Sequence, residues 1–405
     1  MPKWIFNNQD KGYTAASSTQ SLEGDNLSNI EIFVRESIQN SIEAINPGEN
    51  IAQVTIKISR YSLQGSKKQK IIDNLDLEEL KKKSKNFVDE PKGYFKKGDK
   101  IFDELTDDNI PIEILSIEDF GTFGLKGHWS GPVVDQAKNF YSLVFGFYRS
   151  DKSGDTLGSY GAGSQFFAKC SALKTAVYYS VINKEDSPDN AYSRAIAKGL
   201  FPEFPDEDDT GRPEISYNNN GFGYFGEDKT ETAKVDATPL INEHSTGWIE
   251  SLGLPIRKPN ETGTSIFILG CDFDLSQIEA SIAKYWWPLW FKEKSLVPKI
   301  ILKDIDGNEN EFNIYDKKFE YLKPFIDCFK ATLGLQNEKI KQQKILVNQK
   351  NSGNLAYLNV DSLKSLNEYE NKTAIIFNNF VLSYQDIGFK SDVKYSSLFR
   401  LNLSD

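Results

Sequence analysis

The segment 28–46, SNIEIFVRESIQNSIEAIN, leaves the chain little choice of structure. Val34, Ile38, Ile42 and Ile45 recur at helical spacing and mark one side of an amphipathic helix. Pro47 and Gly48 end it. Glu36 and Asn40 stand four apart, so they lie one turn apart on a shared face, and Glu43 continues that stripe. Such a face offers a carboxylate to polarise a water and an amide oxygen to bind Mg2+, an ion that keeps several waters and is completed by phosphates. It also reads as an ordinary solvated helix face.

A strand follows in AQVTIKISRY, with Val54, Ile56 and Ile58 turned inward. Residues 63–110 are polar and Lys-rich and read as a surface insertion, with 66–70 and 81–85 as solvated basic stretches. IPIEILSIED is a second strand and runs into a Gly-containing turn; the stretch from there to about 163 reads as loop around the aromatic segment FYSLVFGFYRS. A helix starts near Ser164, and TAVYYSVI is a strand. Residues 184–262 read as loop-rich and end at the short apolar strand GTSIFILG. The helix expected over 275–291 carries Tyr285, Trp286, Trp287 and Trp290, which read as core between two domains. Beyond it come a strand pair joined by Asp306-Gly307-Asn308, a helix around 318–333, and strands near GNLAYLNV and TAIIFNNFVLSYQ. The main boundary falls near residue 274.

Three further motifs bear on chemistry. In Ile117-Glu118-Asp119-Phe120-Gly121-Thr122-Phe123-Gly124, a strand ends on a carboxylate followed by glycines. A buried Asp119 can accept from an amino group, and Gly121 and Gly124 let the backbone approach a ring or a phosphate. The bland reading is a Gly-rich turn. Gly158, Gly161 and Gly163 precede a helix, where amides and the helix dipole make a phosphate cradle. Gly263-Thr264 opens the strand SIFIL, and the Thr264 hydroxyl is within reach of a bound base or an ordered water.

The order of these four motifs resembles the Bergerat ATP-binding fold of the GHKL superfamily, the group of gyrase-type ATPases, heat-shock chaperone ATPases, sensor histidine kinases and MutL. RESIQNSIEA is similar to the family's N-box, EDFGTFG to its adenine box, GSYGAGS to the Gly-rich end of the ATP lid, and GTSIFI to the last box. The resemblance implies Glu36 as general base, Asn40 as Mg2+ ligand, and Asp119 as adenine acceptor. It places Gly121, Gly124, Gly158, Gly161, Gly163 and Thr264 around the nucleotide. This chain departs from the pattern at Glu43, where Asp is frequent, in one extra residue between Gly121 and Gly124, and at Ser164. The implied fold is α+β: a two-layer α/β sandwich over 1–274, with insertions at about 63–110 and 184–262, then a smaller α/β transducer-like domain over 275–405. The implied cofactors are ATP and Mg2+. The implied cycle is lid closure and homodimerisation on ATP binding, reversed by hydrolysis. The sensor-kinase branch needs a phosphorylatable His upstream of the N-box, and neither His128 nor His244 lies there. The pattern looks most like the MutL- or MORC-like ATPases of bacterial anti-phage defence operons, which implies a partner protein from such an operon. The alternatives are a non-hydrolysing nucleotide switch or scaffold that recruits an effector, and a DNA-topology or repair ATPase subunit.

Composition narrows the remaining classes. A net charge of -10 gives no support for a broad nucleic-acid footprint, which needs clustered Lys and Arg. The three cysteines, Cys170, Cys271 and Cys328, have neither metal-ligand spacing nor an even count, and read as buried small hydrophobes. No apolar run reaches membrane-spanning length and the N-terminus lacks a signal-peptide core, so a cytoplasmic protein is expected.

Overall fold

The computed structural model of the protein describes residues 2–8, 27–45, 54–85, 101–105, 107–129, 139–146, 163–187, 189–202, 204–207, 213–228, 237–292, 297–335, 338–347, 350–359, 372–377, 380–386 and 395–401. The elements up to the third strand are β1 (Lys3–Asn8), α1 (Asn29–Glu43), β2 (Thr55–Leu63), α2 (Gly65–Asn74), α3 (Leu77–Ser84), α4 (Ile101–Glu104) and β3 (Ile112–Phe120). Next come α5 (Asn139–Val144), α6 (Gly163–Lys169), β4 (Thr175–Val181), β5 (Ser193–Leu200), β6 (Phe204–Glu207), β7 (Pro213–Asp228), β8 (Ala237–Thr238) and β9 (Leu240–Ile241). The chain continues through α7 (Asn242–Ser251), β10 (Gly263–Leu269), α8 (Leu275–Trp286), α9 (Leu289–Lys292), β11 (Lys299–Lys303), β12 (Glu309–Glu311) and α10 (Lys323–Thr332). The last strands are β13 (Ile340–Val347), β14 (Lys350–Asn359), β15 (Lys372–Phe377), β16 (Phe380–Asp386) and β17 (Tyr395–Leu401).

Ser28 begins α1. Its hydroxyl accepts the Glu31 N–H at 3.3 Å and the Glu31 carboxylate accepts the Ser28 N–H at 2.8 Å, a reciprocal cap for donors that a helix start leaves open. The helix buries Phe33, Val34 and Ile38, while Glu36, Asn40 and Glu43 stay half-buried on the other side.

The first sheet runs β1-β7-β5-β4-β10-β3-β2-β11-β12. Neighbours along it are antiparallel except β11, which lies parallel to β2. Alternate residues of a strand serve opposite faces, and β10 shows what each face meets. Ile266 and Ile268 pack in one core with Phe33 of α1, Phe166 and Phe167 of α6 and Ile278 of α8. Phe267 and Leu269 pack in another with Ile71 of α2, Leu80 of α3 and Trp248 of α7. The protein is therefore α+β, with the expected sandwich of sheet on helices and a further helical cover on the opposite face.

That cover corrects the reading of 63–110 as surface. Ile71, Leu75, Leu77 and Leu80 are fully buried. Lys68, in the basic stretch expected to be solvated, is 2% exposed. Its ammonium donates to the carbonyls of Glu104 at 3.1 Å and of Asp107 and Ile110 at 2.7 Å. The lysine supplies the donors that this turn of backbone otherwise lacks, which makes its burial tolerable. Lys82 and Lys85 are exposed, as expected.

The loop-rich reading of 184–262 is also corrected, since β5, β7 and α7 lie there. Every residue of β5 is buried, including Arg194 and Lys198, which interrupt the apolar pattern. Arg194 compensates its burial with hydrogen bonds to Leu125 O at 3.3 Å, Gly127 O at 2.5 Å, Ser187 Oγ at 2.9 Å and Asp189 Oδ1 at 2.5 Å. Burial brings the Lys198 ammonium down to about 7. The aromatic segment expected as loop holds the short helix α5.

The helix expected over 275–291 is broken. Pro288 has no N–H to give a preceding turn, and α8 stops at Trp286 before α9 begins at Leu289. Trp286 and Trp287 are core as expected, in one cluster with Phe325, Phe329, Ile376 and Val381. The Trp287 indole N–H donates to Tyr384 Oη at 3.1 Å, and that hydroxyl donates to Lys284 O at 2.8 Å. These contacts join α8 to the second sheet, ordered β13-β14-β17-β15-β16. Cys271 and Cys328 are buried, Cys170 is half-buried, and all three are free thiols. No helix among the described residues is long and apolar enough to cross a membrane.

Candidate nucleotide site

Three of the motifs, those of α1, β3 and β10, meet at one end of the first sheet, where β3 and β4 end and β10 begins. Register sets this up: Ser265 pairs with Glu118 and Gly263 with Val181. Asp119 is buried there. Its Oδ1 accepts the Thr122 hydroxyl and the Thr264 N–H, the latter at 3.0 Å. Its Oδ2 accepts the Ser41 hydroxyl at a long 3.4 Å. Ser41 lies on the buried side of α1, and this bond ties that helix to the end of β3. The Phe123 N–H adds a second tie, donating to Ala44 O at 2.9 Å.

Burial pushes the Asp119 carboxyl above the ordinary aspartate value; Arg257 is the main opposing influence, followed by Thr122, Thr264 and Ser41. As a carboxylate, Oδ2 with one long bond keeps capacity for another donor.

Gly121 donates its N–H to Thr262 O at 3.2 Å. Gly124 has φ +64°, and a Cβ there would stand 2.6 Å from Ser180 Oγ and 2.7 Å from Val181 O. The close approach that requires glycine at 124 is made by the end of β4. Gly263 has the same character. Its φ is +138°, a Cβ would collide with the Asp119 carbonyl, and it would stand 2.8 Å from both Asp119 Oδ1 and Arg257 Nη1. The Thr264 hydroxyl lies 3.5 Å from that of Ser180, which donates to Gly263 O at 2.9 Å and accepts the Leu125 N–H at 2.8 Å.

Asn40 fits a metal-ligand role in one respect. Its side-chain Nδ2 is buried with no hydrogen-bond partner among the described residues. Turning the amide about its terminal bond would bring its oxygen, the atom a cation takes, to that unpaired position. Among the described residues no group of three or more His, Cys, Asp or Glu could hold a metal. Gly163 opens α6, whereas Gly158 and Gly161 lie outside the described residues. The motif reading missed Ser41, Ser180 and Arg257. Ser41 sat inside the quoted helix motif, but Ser180 and Arg257 lie in segments with no pattern that marks a site.

No known protein family matches the sequence, and no curated protein matches it. Among solved structures the chain is similar to the ATPase region of Saccharomyces cerevisiae topoisomerase II, at 7% identity and a TM-score of 0.38, covering 92% of this chain and 73% of that one. It is similar to the ATPase and transducer domains of DNA topoisomerase II from Balamuthia mandrillaris, at 9% identity and 0.34, covering 87% and 59%. A third likeness is to the N-terminal domain of a DNA repair protein, at 10% identity and 0.34, covering 96% and 86%. At such identities and scores these likenesses add no argument to the functional reading, which stands on the residues.

Proposed function

We propose that this chain is a Mg2+-dependent ATP-binding protein and ATPase of the GHKL type. The observation that carries the reading is the convergence of Asp119 with Thr264, Thr122 and Ser41 at the end of the sheet, which joins α1, the helix that carries Glu36 and Asn40, to β3 and β10. Three motifs, drawn from α1, the end of β3 and the start of β10, supply that one place. In this proposal the Asp119 carboxylate accepts the adenine amino group and Thr264 lines the base. Asn40 holds Mg2+, which neutralises phosphate charge when bound. Glu36, one turn away, takes the proton of the attacking water. Gly121, Gly124, Gly158, Gly161 and Gly163 line the phosphate and lid side.

The proposal has finer parts. They are ATP-driven homodimerisation, a cytoplasmic setting, a role in bacterial anti-phage defence with a partner from the same operon, and a division into an ATP-binding domain over 1–274 and a transducer-like domain over 275–405. β11 and β12 keep the second part bonded to the first sheet. The test is calorimetric titration with ADP of wild type and Asp119→Asn. The wild type is expected to bind and the variant to lose binding while keeping its fold. An amide that turns a donor toward a donor costs about 1–3 kcal/mol or more when desolvated. Equal affinity in a folded variant overturns the assignment.

A further inference from the structure

Arg257 sits ahead of β10, only 4% exposed. Its Nε donates to Ser265 Oγ at 2.9 Å and its Nη1 to Glu261 O at 3.3 Å. Its Nη2 donates to Asp119 O and Thr264 O, both at 2.6 Å. The Phe120 ring lies 4.3 Å from the guanidinium carbon. Ser265 Oγ in turn donates to Glu118 Oε2 at 3.2 Å, and Ser116 Oγ donates to Glu118 Oε1 at 3.2 Å. One guanidinium thus staples the strand end that carries Asp119 to the strand start that carries Thr264. It also places a fixed positive charge beside the Asp119 carboxylate.

We propose that Arg257 is the positioning and base-selecting residue of this site: it holds Asp119 and Thr264 in register and keeps Asp119 an acceptor only, so that a 6-amino purine is taken and a 6-oxo purine refused. The inference rests on the reading of Asp119 as base acceptor. A carboxylate only accepts, whereas a carboxylic acid also donates one O–H. Adenine presents a donor at position 6; hypoxanthine presents a carbonyl oxygen, which a carboxylate repels and a carboxylic acid attracts. Burial favours the acid form of Asp119, and Arg257 is the leading influence against it. The charged and titratable neighbours of Arg257 are Asp119, Glu118, Tyr179 and Glu261. From α1, the group that reaches Asp119 is the Ser41 hydroxyl, while Glu43 on that helix accepts from Gln39.

The experiment combines two readouts across acidic to neutral pH. One is calorimetry of ADP and IDP binding. The other is the Asp119 carboxyl titration followed by 13C NMR in ligand-free protein. Arg257→Met should move both the acid limb of ADP affinity and the Asp119 titration up by about one pH unit or more, and narrow the ADP-over-IDP preference about tenfold. Glu118→Gln, isosteric and removing a carboxylate that shares the guanidinium's charge, should move both down. Arg257→Lys keeps the charge and should lose affinity with the limb near its wild-type position. A purely structural role would lower affinity without shifting the limb in opposite directions. Should Arg257→Met not fold, Glu118→Gln and Arg257→Lys decide: an unmoved Asp119 titration in Glu118→Gln, or a limb raised in Arg257→Lys as far as charge loss would raise it, overturns the inference. ADP binding with an unmoved limb overturns this inference alone; wild type that binds neither nucleotide overturns the nucleotide reading with it.

Discussion

At the scale of single residues, the site separates binding from chemistry. Asp119 accepts from Thr122 and Thr264, and the Ser41 hydroxyl, shared with Ser37 O at 3.1 Å, stands 3.4 Å from its other oxygen. Its raised proton affinity has two opposite consequences. The native state keeps the proton to a higher pH than the unfolded chain does. The matching share of stability is therefore present below the unfolded value and is lost as pH rises through the folded one. In the proposed function the base is taken by the carboxylate, so ADP affinity should fall as pH drops through that raised value, above the ordinary aspartate range. Calorimetry in a pH series checks this, and a limb at the ordinary aspartate value would contradict it. Glu36 should act on the water and not on ground-state binding. We expect Glu36→Ala to bind ATP with little change and hydrolyse it about 100- to 10,000-fold more slowly, accumulating as a closed dimer. Phosphate release beside light scattering reads both, and normal turnover in the variant removes Glu36 from catalysis. Asn40→Ala should instead weaken the Mg2+-dependent part of binding.

Among the elements, α2 and α3 are the least expected, since they turn a Lys-rich segment into the cover of a sheet face. Their attachment to the stretch before β3 runs through the Lys68 ammonium and its three carbonyl acceptors. Lys68→Met keeps the packed stem and removes the charged donor. Hydrogen bonds from a charged group are worth about 1.5–3 kcal/mol, so the variant should unfold at lower denaturant by roughly 3 kcal/mol with ADP affinity unchanged. An equal midpoint would mean that the carbonyls find other donors. Of the elements themselves, α1, β2, β3, β4, β10 and the β11–β12 pair were legible from period and turn chemistry. β5 was not, because Arg194 and Lys198 interrupt the apolar pattern that betrays a buried strand; two of the acceptors that make Arg194 tolerable, Leu125 O and Gly127 O, lie far away in the chain.

Across the whole molecule, one apolar cluster runs from α1 through α8 into the second sheet, with Trp286 and Trp287 at its centre. The start of α1 is also tied to α8, where Glu31 accepts from Lys284 Nζ at 2.8 Å and from Tyr285 Oη at 2.9 Å. Truncating a buried Trp typically costs about 3–5 kcal/mol. Trp286→Ala should lower the melting temperature markedly while leaving ADP affinity in the surviving folded fraction unchanged. A selective loss of binding at constant stability would instead make the helix part of the ligand site.

The sequence by itself determined which residue types meet. The helical period of 28–46 dictates that Glu36 and Asn40 share a face, and a strand ending in Asp119 before glycines dictates a carboxylate at a sheet end. These are local facts, set by backbone periodicity and by φ preferences. Tertiary structure alone decided what surrounds them. Ser41 reaches Asp119 across 78 positions of chain, and Arg257 reaches it across 138. Only the strand order, with β10 between β3 and β4, brings Arg257 and Thr264 to Asp119. A buried charge is stable only where its partners are supplied. Here Thr122 lies within the same motif, but Ser41, Arg257 and Thr264 lie far away in sequence, and no short-range pattern could announce them.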